Sequence, residues 1–555
     1  MSAGTMSIVS RALLAMVLMV GFYVVALGIA GVLLWIPYAE VVYANRLHFK
    51  LAVFCLIGAG IILWAVVPRP DRFVAPGPPI TVKDAPKLYQ EIKATAAATR
   101  QGPPAEVYLL PEVNAWVTQR GGLLGIGGRR VMGVGLPLLT LLTVSEFRAV
   151  LAHEFGHYYG GDTLLGPLVY KTRAAIVRTV DALSEHSSAL QLPFLWYGRL
   201  FLMVSHAVSR HQESTADALA ARVAGARALI HALTKIQSGA PAFEAYWSRE
   251  ITPVVQAGFL PPLARGFTMF TANNWVVEAM RATVEDALRD PKTNPYDTHP
   301  PLPERIRAFD GQPSSDQQQD HRPAAELIDN LGALERDLVT MLLSGSSGSR
   351  LRPIAWEEVI HQVYVPYWQD LARRYGSYFV GQTVEDLVDR AKVLADAIGA
   401  RIAEESSTLW TADERIPRGA FILGAVLAAA LNRAGWQAKG NPGGKLDCEG
   451  PRGSLDPFAV TSQMAAEKLD PAQWKHQCAV LGIGALSLSG ETAPAELGTV
   501  GPNRLGAPEP RSANAPRALS CPECSTPYDP ADYRTDVKAI YCSVCKTQLP
   551  RGQTS

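Results

Sequence analysis

Seven cysteines in 555 residues are too few for a scaffold built on disulfides, and four of them sit together near the C-terminus. Neither sign of charge is in excess: 52 Lys and Arg face 51 Asp and Glu, a net charge of +1, so nothing pulls the chain toward nucleic acid. No internal repeat is evident, which excludes a solenoid. Two stretches lack charge altogether, Ala12 to Ile36 and Leu51 to Val67. The first is long enough to cross a hydrocarbon layer of about 30 Å and the second is shorter, so together they predict a helical hairpin with the lipid bilayer as partner. A cleaved leader fits less well, because the apolar part is too long and no Ala-x-Ala site follows it promptly. Arg11 precedes the first run, Arg46 and Lys50 lie between the two, and Arg69 and Arg72 follow the second, a balance too even to set the orientation.

What stands out against this background is His153-Glu154-Phe155-Gly156-His157. Thr143-Val-Ser-Glu146 reads as a capping box, and Phe147, Val150, Leu151 and Phe155 follow at helical spacing, so the motif lies on a helix that should end at Gly160-Gly161. Two imidazoles four residues apart share one helix face and can grip one zinc ion, with Glu154 placed to take a proton from water as general base. The alternative is an amphipathic core helix with two satisfied histidines. A buried helix seldom needs two histidines and a glutamate together.

A catalytic zinc needs a third protein ligand and an open position. The alanine-rich stretch Ser209-Arg210-His211-Gln212-Glu213-Ser214-Thr215-Ala216-Asp217 offers it. Glu213 and Asp217 lie one helical turn apart, so both carboxylates point the same way: Glu213 toward the metal, Asp217 toward an imidazole that holds the metal. A lone Glu-x-x-x-Asp would more often be a pair of solvated helix charges; beside the histidine motif the ligand reading prevails.

These blocks resemble the HtpX-like membrane metallopeptidases, a family that includes the CAAX prenyl endopeptidases and a mitochondrial inner-membrane protease. The matching residues are His153-Glu154-x-Gly156-His157 followed by Asp162, then Ser209-Arg210-x-x-Glu213-x-x-Ala216-Asp217, then Asn294-Pro295-Tyr296, Thr298-His299-Pro300-Pro301 and Arg305, with Val113-Asn114-Ala115-Trp116 upstream. The resemblance covers roughly residues 70–310 and implies a gluzincin endopeptidase. It implies that Asp162 supports the centre, that His299 and Arg305 lie near the scissile bond as oxyanion donors, and that Asn114, Ala115 and Trp116 belong to a substrate-binding edge strand. Read alone, His299 is a turn residue before two prolines and Arg305 a helix-surface charge. Residues 114–118 alternate in character between Pro111 and Gly121-Gly122, which suits a strand that pairs with an extended peptide.

The remaining chain is less legible. Leu192 to Val204 is apolar but interrupted by Arg199 and shorter than the roughly 20 residues of a spanning helix, so it reads as either a core helix or one at the membrane interface. After a polar linker at 311–323, apolar residues at helical spacing predict an α-rich module over 324–490, in which Phe421 to Leu431 is a buried helix and Trp356, Tyr364 and Trp368 are core. It has no catalytic constellation, and Cys448 and Cys478 read as buried single thiols. Residues 491–517, rich in Pro, Ala and Gly, predict a disordered linker.

Cys521-x-x-Cys524 and Cys542-x-x-Cys545, seventeen residues apart, fit a zinc ribbon over 518–550. Such thiolates persist in a reducing compartment; in an oxidising one they would form two disulfides. The ribbon's basic and acidic residues balance, so it lacks a nucleic-acid patch and protein docking or simple capping is the better reading.

The expected fold class is α+β: an N-terminal transmembrane helical hairpin over 1–69 with spans at about 12–36 and 51–67, a mainly α-helical zincin domain with a small β-sheet over 70–310, then the α-rich module and the ribbon. The expected function is a multi-pass, inner-membrane zinc endopeptidase with its catalytic domain and ribbon in the cytoplasm. It would use one catalytic and one structural zinc and act on protein or peptide substrates, membrane-associated or misfolded. The alternative is a catalytically silent membrane scaffold on the same fold, against which stand the retained His153, Glu154, His157 and Glu213.

Overall fold

Two charge-free runs of the sequence become long helices in a computed structural model, which describes residues 8–67, 73–120, 129–157, 165–184, 186–290, 300–309, 319–343, 351–406, 410–489 and four two-residue strands beyond 518. Helix α1 (Ile8–Ala44) is longer at both ends than the expected span, and α2 (Phe49–Val66) returns antiparallel to it after a short turn. Both are apolar and long enough to cross a membrane. Their outward residues are large and apolar, including Val24, Trp35 and Trp64, while Phe22, Ala26, Ala30, Ala59 and Ile62 face inward.

A second helical pair packs on the first. Helices α6 (Leu165–Ser184) and α7 (Ser188–Ala224) contribute Ala175, Ile176, Leu183, Phe194 and Phe201 to the same apolar core. The Tyr197 hydroxyl donates to the Leu18 carbonyl at 2.6 Å, and Phe22 meets Phe194 edge-on at 6.3 Å. Toward the other end, His186 stacks on Phe54 at 4.8 Å with its Nε2 3.2 Å from the Phe54 carbonyl, while at the end of α2 that lies beside the start of α1 Arg178 Nε donates to the Ala65 carbonyl at 3.3 Å. These contacts align α7 antiparallel to α1 and α6 antiparallel to α2. The apolar 192–204 stretch is therefore not a separate short helix, and its Phe194 and Phe201 are core residues. It is the first half of a 37-residue helix whose second half carries Glu213.

The zinc-motif region is built around a four-stranded sheet in the order β1-β2-β4-β3, with β1 (Pro79–Ile80), β2 (Glu106–Leu110), β3 (Ala115–Arg120) and β4 (Arg129–Gly135). β2 and β4 run parallel; β3 pairs antiparallel to β4 and forms one edge of the sheet. Trp116 lies opposite Gly133, where any Cβ would come within 2.5 Å of the indole, so glycine is what lets the ring lie against the sheet. Helix α3 (Pro86–Ala98) packs on α5 (Val144–Gly156), and Arg148 of α5 is held by Glu91 of α3 through Nε at 2.5 Å and Nη2 at 3.2 Å.

The polar stretch after residue 310, expected as a plain linker, is in part a strap. Residues 311–318 lie outside the described residues, but Pro323 bridges Thr143, Ala324 N donates to the Leu142 carbonyl at 2.8 Å, Val144 N donates to the Arg322 carbonyl at 2.9 Å, and Asp320 N donates to Ser145 Oγ at 2.7 Å. The strap thus covers the start of α5, where a helix leaves its first N–H groups without partners.

The chain divides into two compact units at boundaries other than those expected: residues 1–238, 282–334 and 516–555 form one, and 239–281 with 335–515 form the other. Residues 239–281, placed by sequence in the catalytic region, have their partners in the second unit. Trp356 Nε1 donates to the Pro262 carbonyl at 2.9 Å, and the buried Glu335 carboxylate accepts from Leu263 N and Ala264 N at 3.0 Å each. The second unit is α-rich with a three-stranded antiparallel sheet, 437–439, 447–450 and 453–455. Its helices Leu387–Glu405 and Ala412–Arg433 cross where Gly419 touches the Ala395 carbonyl, and no side chain fits between them. Trp356, Trp368, Cys448 and Cys478 are buried here and Phe421–Leu431 is a core helix, as the sequence predicts.

The four ribbon cysteines lie outside the described residues. Leu519–Ser520 pairs antiparallel with Pro527–Tyr528, and Ile540–Tyr541 with Gln548–Leu549, so each Cys-x-x-Cys is bracketed by a strand pair of its own.

Candidate metal centre

The helix that bears the motif starts as its sequence dictates. Thr143 Oγ1 accepts from Glu146 N and Glu146 Oε2 accepts from Thr143 N at 2.8 Å, a closed capping box, with Lys235 Nζ on the same Glu146 oxygen at 2.8 Å. Phe147, Leu151 and Phe155 are fully buried and fix the rotation of α5. The helix ends at Gly156 with His157 as its cap, four residues before the expected glycine pair. Gly156 lies directly on Ala216 of α7: a Cβ there would stand 2.7 Å from the Ala216 Cα. Two small residues therefore let the two helices meet at the level where the histidines face Glu213.

At that contact His153 Nε2 and His157 Nε2 are 3.2 Å apart. Glu213 Oε2 is 3.5 Å from His153 Nε2, and Glu213 Oε1 is 3.7 Å from His157 Nε2. Zinc bonded tetrahedrally to such atoms at about 2.0–2.1 Å holds them about 3.3 Å from one another, so the three separations fit the edges of one coordination tetrahedron. The donor set, two imidazole nitrogens and a carboxylate, is the one zinc takes in catalytic sites. Glu154 is less buried, with a carboxylate oxygen within 4.8 Å of the two imidazole nitrogens. Glu213 thus closes a triangle of donor atoms with the two imidazoles, and Glu154 stands beside it as a second carboxylate within reach.

Behind the triangle runs a second line of contacts. His153 Nδ1 is 2.9 Å from Asp217 Oδ1, which fixes the imidazole with Nε2 toward the other ligands. Asp217 in turn accepts from Arg305 Nε at 2.8 Å and Nη2 at 2.6 Å. Burial alone would push the Asp217 carboxyl up; the hydrogen bonds from Arg305 and then His153 outweigh it and hold the group at about 2. Arg305 reaches this place from the short helix Leu302–Arg307, whose start is set by Pro301 and Pro303. Arg305, expected near the scissile bond, is engaged in a two-pronged pair with Asp217.

Of the other expected residues, His299 and Asp162 lie outside the described residues. Asn114 is exposed and its carbonyl accepts from Gly135 N at 2.8 Å; Ala115 is buried and Trp116 half-buried on the edge strand β3, which packs against α5. The Gly156–Ala216 contact and the Arg305–Asp217 pair were not read from sequence, although two small residues on the two helices that carry the ligands are a signal of close approach.

Comparison with known proteins adds the family. Residues 83–312 match the model of peptidase family M48. That stretch is similar to the family. The M48 match begins after α1 and α2 and ends just past Arg305, so it takes in all the residues of the centre. Among curated relatives, a "Protease HtpX homolog" of Pyrococcus abyssi is 29% identical over 246 residues, 41% of this chain and 73% of the relative. "Protease HtpX" of Vibrio cholerae is 30% identical over 158 residues, 25% of this chain and 52% of the relative. A "Protease HtpX homolog" of Gemmatimonas aurantiaca is 26% identical over 245 residues, 41% of this chain and 77% of the relative. The chain thus spans about half the length of the Vibrio protein and about three quarters of the other two. No solved structure matches it.

Proposed function

We propose that this protein is a membrane-anchored zinc endopeptidase of the M48 family. The observation that carries the reading is the triangle of His153 Nε2, His157 Nε2 and a Glu213 carboxylate with separations of 3.2, 3.5 and 3.7 Å, the size zinc requires. When bound, zinc supplies a Lewis acid that polarises a peptide carbonyl and makes a nearby water acidic. Glu154 accepts the proton from the attacking water on a carboxylate oxygen and hands it to the leaving nitrogen. Asp217 holds the His153 ring, and Arg305 holds Asp217, so both act through the ligand and not on the substrate. Strand β3, at one edge of the sheet, pairs with an extended substrate backbone, with Asn114, Ala115 and Trp116 beside it. His299, by resemblance, donates to the carbonyl oxygen, and Asp162 supports the centre. A second, structural zinc is assigned to Cys521, Cys524, Cys542 and Cys545, in a segment too small for a core of its own.

The packing of α6 and α7 on the hairpin also informs orientation. Lys171 and Arg173 lie in the first half of α6, which runs antiparallel to α2, and so join Arg11 on the side of the catalytic residues, while Arg46 and Lys50 lie on the other. The excess of basic residues on the catalytic side favours a cytoplasmic M48 domain. Membrane proteins are then natural substrates. The test is cleavage of an unfolded soluble protein and of a single-span membrane protein by the detergent-purified chain. Loss of both activities on chelation and their return with added zinc is expected; cleavage that survives chelation would contradict the metal mechanism.

A further inference from the structure

We propose that α7 fixes the height of the active centre above the bilayer, so that the enzyme cuts membrane proteins only beyond a minimum distance from the end of their span. The inference rests on the endopeptidase reading and adds to it a rule for where the scissile bond lies. The helix is continuous from Ser188 to Ala224, with Glu213 in its second half. In its first half Leu192, Trp196, Leu200 and Met203 are 52, 67, 43 and 60% exposed, an apolar stripe along the face opposite Phe194 and Phe201. That stripe is continuous with the outward apolar surface of α1 and α2, so the occupant that fits it is lipid.

The helices agree on where the lipid ends. On α1 the last charged residue before the apolar run is Arg11, seven positions before Leu18, which meets Tyr197. Because α7 runs antiparallel, the same level on α7 falls at about residue 204 at 1.5 Å per residue. Met203 is the last exposed apolar residue of the stripe among the described side chains, and His206 is the next ionisable residue in the sequence. On the other pair, Arg178 meets Ala65; Arg69 follows Ala65 by four positions in sequence, and Arg173 precedes Arg178 by five. Below that level Arg178 and His186 are engaged with helix carbonyls inside the bundle, and the one exposed cation among the described residues of the stripe, Arg199, lies over the Trp196 ring at 5.6 Å, within reach of the boundary on its long stem. From residue 204 to Glu213 is nine positions, a rise of about 14 Å along the axis. An extended peptide covers at most about 3.3–3.6 Å per residue, so a substrate leaving the bilayer needs about four residues before a bond can reach the centre.

The experiment uses the full chain in liposomes and a set of single-span substrates in which Gly/Ser spacers of increasing length separate the span from one fixed unstructured segment. The same segment is supplied as a soluble peptide. Cleavage of the fixed segment at least tenfold slower with spacers shorter than four residues, with the soluble peptide cut throughout, is expected. Equal cleavage at every spacer length would overturn the height rule and leave the endopeptidase reading intact; absence of cleavage even of the soluble peptide would overturn both. A readout independent of activity is carbene labelling from lipid tails in the Glu154→Gln protein. Label is expected in 188–203 and not in 211–224, and its absence from 188–203 would overturn the proposal.

Discussion

Arg305 shows how much of this centre depends on a side chain that the motif does not contain. Both its Nε and its Nη2 are engaged with Asp217, which is almost wholly buried one turn from the equally buried Glu213. Removing one partner of such a pair leaves a charge without compensation in a low-dielectric site. Arg305→Ala should therefore weaken zinc binding by about 10–100-fold, the usual cost of losing an outer partner of a metal ligand, and Arg305→Lys should recover only part because it cannot engage Asp217 with two prongs. Competition with a fluorescent chelator measures this without reference to cleavage; affinity unchanged in Arg305→Ala would contradict the positioning role. That His153, His157, Glu213 and Asp217 come together was legible in the sequence, because His-x-x-x-His and Glu-x-x-x-Asp declare their shared faces by spacing alone. The destination of Arg305 was not, since it lies 88 residues from Asp217 and only the fold brings the two together.

At the scale of elements, the decisive contact is between α5 and α7, where Gly156 lies on Ala216. A methyl group at 156 has nowhere to go, as its nearest neighbour is backbone. Gly156→Ala should force the helices apart, cost about 1–3 kcal/mol in thermal or denaturant unfolding, and reduce zinc content in parallel. Full zinc loading with unchanged stability would show that the contact does not set the site. The capping box that starts α5, the helical rotation of Phe147, Leu151 and Phe155, and the edge strand at 115–120 follow from local pattern and were readable in advance. The 37-residue α7 was not, because Arg199 and the charged 209–217 stretch break the apolar run on which span recognition depends.

At the scale of the whole molecule, 239–281 was assigned by sequence order to the catalytic region, yet its partners, such as Trp356 and Glu335, lie in the second unit. Glu335 gives that unit a pH dependence of definite sign. Burial raises its carboxyl above the ordinary 4.5, against the two backbone N–H groups that lower it. The unfolded chain therefore releases this proton first, and the group's contribution to stability is full below the ordinary value and lost as pH rises through the folded one. The melting temperature of the parent relative to Glu335→Gln should fall between pH 4 and neutrality, as read by scanning calorimetry; a difference independent of pH would contradict this. For the protein as a whole, the most direct measurement is zinc content and cleavage of an unfolded protein by the parent and by Glu154→Gln, side by side. Both proteins should hold two zinc ions per chain while the variant's cleavage falls by about 10²–10⁴-fold, the usual contribution of a general base. Equal cleavage by the two, or one zinc ion in the parent, would contradict the assignment of His153, His157, Glu213 and Glu154.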